Sequence, residues 1–329
     1  MAELGTEDKG TVPGRDSTER LIRTCVKLYV RTGCGFRGVS EALSVISEEY
    51  GVAKAVSHQT VSDWVKTAGL AMYKEARGMI RDCKMKYSFV VDESITIGSQ
   101  KLLLVLAIPA GCPGHALRHE DVKVVGIFVE RSWKAEDVAG RLREIVDEIG
   151  YKPEYVLSDN GHNLVKAASD LELPHHRDIG HTLGLFPEEA YDDDKMFNEF
   201  KELRDYIVSN HIYPGNLRLT RIMMKVWDYL KAEAALLKPG ETHNLSSDII
   251  ESIFGIFKQK KSPNHLYGVT PFVLFIPAHT AIVGMHDTKS VDFMRIFSDY
   301  HNKEVDDWKV KNLKENWVRT RTKTLAKAG

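Results

Sequence analysis

Two aspartates in this chain close apolar segments that have the composition of buried strands. Asp92 ends the apolar run in "YSFVVDES", and Asp159 ends the apolar segment in "YVLSDNG", two residues before a glycine. Because sites in open α/β sheets gather at the carboxyl ends of strands, these two carboxylates are candidates for one site. Like charges a few ångströms apart repel unless a cation lies between them, and hard oxygen ligands suit Mg²⁺ or Mn²⁺. The pair therefore predicts divalent-metal chemistry.

A third acidic residue, Glu251, would complete such a metal site from the helix predicted over "SSDIIESIFGIFKQKKS". Its neighbours form an apolar face, so this helix is expected to pack against a core with Glu251 at the border. Lys258 follows two helical turns later and shares the side of Glu251. A second interpretation stays open: with Asp248 as the N-cap, Glu251 occupies the third helical position and serves as a capping-box residue.

The segments around these carboxylates predict an α/β fold. Three apolar segments between residues 87 and 130, joined by hairpin-length links, predict an antiparallel meander, and two strand–helix alternations follow, with a short strand near "HHRDIGH". This order predicts a five-stranded mixed sheet with flanking helices, in which the first and fourth strands are neighbours. By strand alternation, Glu93 should point away from Asp92 and not act as a ligand.

The N-terminal part of the chain predicts a DNA-binding module. After a polar stretch over residues 1–19 that is expected to be disordered, residues 20–86 contain three short helices, with Ser57 as the cap of the third. A tight turn before that third helix predicts a helix-turn-helix. The alternative is a helical bundle without DNA contact. Exposed polar and basic residues on the third helix and at the end of the Glu251 helix are candidates for DNA contacts: His58, Gln59, Thr60, Ser62, Lys66, Lys258, Lys260 and Lys261.

The remaining segments divide by composition. Residues 87–181 form the first part of the core, 182–246 an all-helical insertion, 247–308 the completion of the core with the Glu251 helix and C-terminal helices, and 309–329 a basic tail. The net charge of −1 hides an uneven distribution: 12 Lys/Arg against 6 Asp/Glu in 20–86, 18 against 26 in 87–241, and 7 against 1 in 309–329. Basic segments of this kind bind phosphate backbones or form solvated helix faces.

Bulk composition sets the class of protein. The 329 residues are 43% hydrophobic and 28% charged, and no apolar run reaches membrane-spanning length. The polar N-terminus does not resemble a signal peptide, so we expect a cytoplasmic, nucleoid-associated protein without a membrane partner. The four cysteines form no C-x-x-C pair, which favours a reducing compartment. Cys112, His115 and His119 could ligate zinc, and the alternative is a polar loop between two strands.

With Asp92 on the first strand, Asp159 on the fourth and Glu251 in a late helix, the chain resembles the DDE transposases and integrases over about residues 20–285. The resemblance implies a ribonuclease H-like catalytic core. In "RDIGH", Asp178 and His181 match a Cys/Asp-x-x-His motif found after the second aspartate in several cut-and-paste superfamilies. The alternative for His181 is a polar residue at a strand end. Asp159 and Glu251 are further apart than in the smallest families, and the helical insertion accounts for the excess.

The resemblance also implies a reaction, partners and roles. The reaction is DNA strand cleavage at the end of an insertion-sequence-like mobile element, followed by attack of the freed 3′-hydroxyl on target DNA. Two Mg²⁺ or Mn²⁺ ions are implied, with Asp92 bridging both and Asp159 and Glu251 each holding one. His162 and His181 would position the scissile phosphate. The implied partners are double-stranded DNA, as element end and target, and further copies of the chain in a homodimer or larger assembly.

Two other functions stay open from sequence. One is a catalytically inactive, domesticated transposase that acts as a DNA-binding protein. The other is a different ribonuclease H-like DNA nuclease, such as a junction resolvase, which cuts DNA without joining it.

Overall fold

The structure, a computed structural model, describes residues 15–50, 56–93, 100–191, 217–261, 268–283 and 291–313. Its centre is a five-stranded mixed sheet with strand order β3-β2-β1-β4-β5. The first three strands form an antiparallel meander, and β4 and β5 run parallel to β1. The predicted mixed sheet and the pairing of the first and fourth strands are therefore confirmed. The strands are β1 (Tyr87–Glu93), β2 (Lys101–Pro109), β3 (Lys123–Glu130), β4 (Val156–Ser158) and β5 (His175–Arg177).

Helices cover both faces of the sheet, which explains why β2 is apolar at nearly every position rather than at alternate ones. One face packs against α4 and α5, and the other against α1, α2, α8 and α9. The helices are α1 (Arg15–Arg31), α2 (Phe36–Tyr50), α3 (His58–Cys83), α4 (Ala135–Ile149), α5 (His162–Asp170), α6 (Ile179–Tyr191), α7 (Leu217–Ala234), α8 (Asp248–Lys260), α9 (Phe275–Val283), α10 (Phe293–Asp299) and α11 (Asn302–Asn312).

The three N-terminal helices share a hydrophobic core with the sheet. Buried residues of α1, α2 and the first half of α3 belong to the same cluster as Val90 of β1 and the inward residues of α8 and α9. The predicted Ser57 cap is confirmed, since its side chain accepts from the Thr60 amide. At Gly69 the backbone of α3 meets that of Leu274 so closely that a Cβ atom would lie 1.8 Å from the Leu274 oxygen. Residues 20–86 thus pack as part of the main core.

Several predicted boundaries shift. Helix α1 begins at Arg15, inside the stretch expected to be disordered, and residues 1–14 lie outside the described residues. In the predicted insertion, α6 begins at Ile179 and α7 ends at Ala234, while residues 192–216 are not described. Helix α11 takes up the first residues of the predicted basic tail, and 314–329 lie outside the description. None of the described helices is both long and apolar enough to cross a lipid bilayer.

Candidate active site

The parallel pairing of β1 with β4 aligns the two predicted aspartates. Val90 pairs with Leu157 across this ladder. Because side chains two residues apart on a strand share a face, Asp92 and Asp159 follow Val90 and Leu157 on the same side of the sheet. That side is the one covered by α8, whose inward residues belong to the same core cluster. The strand ends therefore bring both carboxylates to one edge of the sheet.

Asp178 extends this row by one strand. Leu157 pairs with His176 on β5, so Asp178 lies two residues beyond, next to Asp159, and its amide donates to the Ser158 carbonyl at 2.9 Å. Three aspartates thus stand side by side at the carboxyl ends of β1, β4 and β5. The sequence had singled out each of them, but their alignment follows only from the strand register.

Asp178 differs from the other two because its carboxylate is buried and fully hydrogen-bonded. Its Oδ1 accepts from the amide and Nδ1 of His181 at 2.7 and 3.0 Å, and its Oδ2 accepts from the amide and hydroxyl of Ser247 at 2.5 and 2.9 Å. Burial alone would raise the pKa of Asp178, but these hydrogen bonds outweigh burial and hold the pKa below its ordinary value. Asp178 therefore ties β5 and α6 to the start of α8 and has no oxygen left without a donor.

Glu251 lies in the first part of α8 and does not cap the helix. The N-cap is Ser247, which makes no side-chain capping bond and donates instead to Asp178. Glu251 is consequently the fourth helical residue, one position beyond a capping-box acid, so the capping-box interpretation does not hold. Its carboxylate is 51% exposed, and Oε1 lies 3.4 Å from Nδ1 of His181. The bond from Ser247 to Asp178 was not expected from the sequence, which carries no local signal for it.

His181 lies between two acids at the start of α6. Burial lowers the pKa of His181, but its hydrogen bond to the Asp178 carboxylate and the charges of Asp178, Glu251 and Asp159 outweigh burial and raise it. The Asp178–His181 pair predicted from the Asp-x-x-His spacing is therefore formed in space. An open cavity of about 390 Å³ adjoins it, lined by Asp178, Gly180, His181, Gly184, Leu185, Asp248 and Glu251.

The electrostatics of Asp92 fit a cation. Burial and, second, the neighbouring charge of Asp159 raise the pKa of Asp92 to about 7, and Glu251 adds to the effect while His181 opposes it. A carboxylate that is buried beside a like charge is stabilised by a divalent ion, and all the donors at this edge are the oxygens that Mg²⁺ and Mn²⁺ prefer. Within the described ranges, no three His, Cys, Asp or Glu side chains are already gathered closely enough to hold a metal ion.

The structure also locates the residues next to the aspartates. Glu93 points to the opposite face, where it accepts from Asn163 of α5 and pairs with Lys101 at 3.2 Å. This bonding matches the expectation that Glu93 is not a ligand. His162 is exposed as the first residue of α5, and among the described residues its side chain makes no hydrogen bond or ion pair.

The predicted DNA-contact residues fall into two groups. His58 and Gln59 are exposed at the start of α3, with Thr60 half-buried beside them. The second group lines a groove of about 570 Å³. It consists of Ser62 and Lys66 of α3 together with Lys260 and Lys261 at the end of α8. The same groove is also lined by Lys309, in the last turn of α11.

The lysines of this groove differ in their partners. Lys66 pairs with Asp63 at 2.7 Å. Lys260 donates to the carbonyls of Tyr29 and Thr32 at 2.6 and 2.7 Å, so it binds the C-terminal end of α1. Lys258, on the last turn of α8, is exposed and is not among the residues that line the groove. Lys260 therefore serves mainly as a link between α8 and α1.

The proposed zinc ligands do not come together. Cys112 is exposed and its amide donates to Thr242, while His115 contacts the Ala116 carbonyl. His119 instead packs edge-on against His279, with ring centroids 4.9 Å apart. The three residues therefore have separate partners among the described residues.

Comparison of the chain with protein-family models and with curated proteins finds no match. We therefore infer function from the arrangement of these side chains.

Proposed function

We propose that this chain is a DDE-type DNA transposase of an insertion-sequence-like element, with a ribonuclease H-like core and Mg²⁺-dependent strand cleavage and strand transfer. One observation carries the proposal: Asp92 and Asp159 end adjacent parallel strands on the sheet face that α8, the helix of Glu251, covers. The element order strand-strand-strand-helix-strand-helix-strand, as in the ribonuclease H fold, supports it.

Three carboxylates would hold the metal ions. Asp92 and Asp159 are set by the strand ends, and Glu251 is half-exposed and free of any capping role. Bound Mg²⁺ or Mn²⁺ would supply Lewis-acid stabilisation of phosphoryl oxygens and a nucleophile at neutral pH. The chain's own contribution is to keep the carboxylates at one edge of a rigid sheet, because small misplacements of reacting groups cost large factors in rate.

His181 would serve the substrate phosphate. Asp178 fixes its ring through Nδ1, and the surrounding acids favour its protonated form. A held imidazolium beside the carboxylates gives a phosphate oxygen a hydrogen-bond donor at the edge of the site.

The groove between α3, α8 and α11 would take the DNA backbone. Its lining lysines, Lys66, Lys260, Lys261 and Lys309, come from three segments that are separate in sequence, with Asp306 as an opposing charge. A protein that neutralises phosphates in this way loses affinity steeply with salt. We expect Lys261→Glu to weaken binding to duplex DNA and to reduce the dependence of that affinity on salt concentration. Lys258→Glu, on the exposed side of α8, is the variant with which it is compared.

The central test is strand transfer by a pre-cut element end into target DNA with Mg²⁺. Asp92→Asn, Asp159→Asn and Glu251→Gln should each lower the rate by about 10²-fold or more while leaving DNA binding largely intact. Glu93→Gln is the matched control and should retain activity. If any of the three variants keeps near-full activity, that residue is misassigned.

The wild-type outcome separates the other two functions. Cutting without joining would indicate a resolvase-like nuclease, and binding without either reaction would indicate an inactive DNA-binding relative. The proposal further includes a cytoplasmic, nucleoid-associated location and a homodimer or larger assembly that holds two DNA ends.

A further inference from the structure

A second polar cluster surrounds His176 on β5, two residues before Asp178. His176 is completely buried, and its Nδ1 lies 2.5 Å from Glu233 Oε2 of α7. Its Nε2 lies 2.8 Å from His243 Nδ1. Because an ionised carboxylate only accepts hydrogen bonds, His176 donates through Nδ1, and a neutral His176 then accepts at Nε2 from His243. The second Glu233 oxygen accepts from the Arg177 amide at 3.3 Å.

The Glu233–His176–His243 chain joins three segments that are distant in sequence. They are β5, α7 and the return segment, residues 241–247, which leads from α7 to α8. At nearly every position, the return segment is hydrogen-bonded to residues of the sheet or of the segments that directly flank its strands. Two of its carbonyls accept hydrogen bonds: that of Thr242 from the Cys112 amide at 3.3 Å, and that of Leu245 from the Ile179 amide at 2.8 Å. Two of its amides donate: that of Asn244 to the Tyr155 hydroxyl at 3.0 Å, and that of Ser247 to Asp178.

This segment sets where Glu251 stands. Ser247 is its last residue and the N-cap of α8, so Glu251 follows by about one helical turn. A helix moves as a rigid element, and a shift of the return segment therefore moves the Glu251 carboxylate relative to Asp92 and Asp159. The aspartates need no such device, because the strand register already positions them.

We propose that Glu233, His176 and His243 are positioning residues for Glu251: their buried hydrogen-bonded chain holds the return segment against β5. This inference rests on the proposed function, since it concerns the third carboxylate of that metal site.

Helix α7 offers a matched control. Tyr229, one turn before Glu233, donates to the Arg177 carbonyl at 2.8 Å. It therefore fastens α7 to β5 just as directly but has no hydrogen bond to the return segment. Glu233→Gln keeps the side-chain shape but replaces one of the two carboxylate oxygens with an NH₂ group, which cannot accept from His176 Nδ1–H or from the Arg177 amide. Tyr229→Phe removes only the helix–strand bond.

The first experiment is amide hydrogen exchange on the full-length, metal-free protein. In Glu233→Gln, the amides of residues 242–248 should exchange at least about tenfold faster than in the wild type, while those of β1 and β2 stay unchanged. Tyr229→Phe should change residues 242–248 by less than about twofold. Unchanged exchange in Glu233→Gln, or an equal increase in Tyr229→Phe, would overturn the proposal.

The second experiment is a double-mutant cycle on Mn²⁺ affinity, measured by isothermal titration. Glu233→Gln should weaken Mn²⁺ binding by about tenfold in the wild-type background, as residues that orient metal ligands do. In the Glu251→Gln background it should cost less than about twofold, because the positioned ligand is already gone. Equal losses in both backgrounds would show that Glu233 acts on general stability and not through Glu251.

The two proposals fail separately. If the wild type binds no Mn²⁺ through Asp92, the metal-dependent function fails, and with it the role of Glu251 as the positioned ligand. If Mn²⁺ binds but the cycle is additive, only the positioning role fails.

Discussion

Two polar clusters lie next to each other on the same face of the sheet. In one of them the carboxylates are matched, meaning that hydrogen-bond donors satisfy their oxygens. In the other, which is unmatched, two carboxylates of like charge face each other. Asp92 and Asp159 oppose each other, and burial together with Asp159 raises the pKa of Asp92 to about 7. Around β5, by contrast, Glu233 accepts from His176 and the Arg177 amide. Asp178 is similarly bonded, and its pKa is held low.

The contrast separates a site from its support. A buried charge with complete hydrogen bonding stabilises one conformation and needs nothing further. A buried carboxylate left beside a like charge destabilises the folded state until a ligand arrives, and perturbed groups of this kind concentrate at functional sites. Removing a carboxylate should therefore have opposite effects on the free energy of unfolding in the two clusters.

The largest effect is expected in the matched cluster. Glu233→Ala leaves the His176 Nδ1–H and the Arg177 amide buried without an acceptor, and should lower the free energy of unfolding by about 2–6 kcal/mol, since each unsatisfied donor costs about 1–3 kcal/mol. Urea denaturation at pH 7 measures it. Tyr229→Phe, which loses a single hydrogen bond, should cost only about 1 kcal/mol. A loss below that of Tyr229→Phe would mean that Glu233 contributes little.

The opposite sign is expected at the unmatched cluster. The folded pKa of Asp92 lies above its ordinary value of 3.8, so between pH 4 and 7 the folded state keeps a proton that the unfolded state has released. Metal-free wild type should therefore lose stability relative to Asp92→Asn as pH rises through this range, by about 2–4 kcal/mol in total. Denaturation in EDTA at several pH values tests this, and a difference that stays constant with pH would contradict it.

Metal addition should remove the repulsion. With Mn²⁺ at about 100 times its dissociation constant, wild-type stability should rise by about 2.7 kcal/mol, because the ion binds only the folded state. Asp92→Asn should show no such rise, while Glu93→Gln, altered on the opposite face, should respond like the wild type. A similar rise in Asp92→Asn would place the ion elsewhere.

The smallest effect is expected at Glu251. Its carboxylate is half-exposed and does not cap α8, so Glu251→Gln in metal-free protein should change stability by less than about 0.5 kcal/mol. Thermal denaturation in EDTA is sufficient. A loss well above 1 kcal/mol would restore a structural role for Glu251 and weaken its assignment as a ligand.

Local sequence patterns predicted the sheet and the two strand-end aspartates because each depends on one short segment. The apolar runs, their hairpin-length links and the strand–helix alternation defined five strands, and the structure contains them. Asp92 and Asp159 were identifiable because a carboxylate directly after a buried strand is unusual in itself.

Glu233 and His176 gave no such signal. Glu233 is one of several polar residues in a helical pattern. Its burial depends on the packing of α7 against β5, where its partner Arg177 lies 56 positions earlier in the sequence. Of the three histidines in "HHRDIGH", the sequence singled out only His181, through its spacing from Asp178. The helix-turn-helix was likewise predicted from local pattern, and that pattern did not indicate that α3 runs for 26 residues and packs into the core shared with the sheet.

The sequence by itself determined which residues end the strands and which strands are neighbours, since hydrophobic periodicity and link length are local properties. Only the tertiary structure decided that hydrogen-bond donors satisfy the Asp178 carboxylate, while that of Asp92 faces the like charge of Asp159. It also decided that Glu251 does not cap its own helix. Those outcomes depend on which donors arrive from segments tens of residues away, and no local pattern carries that information.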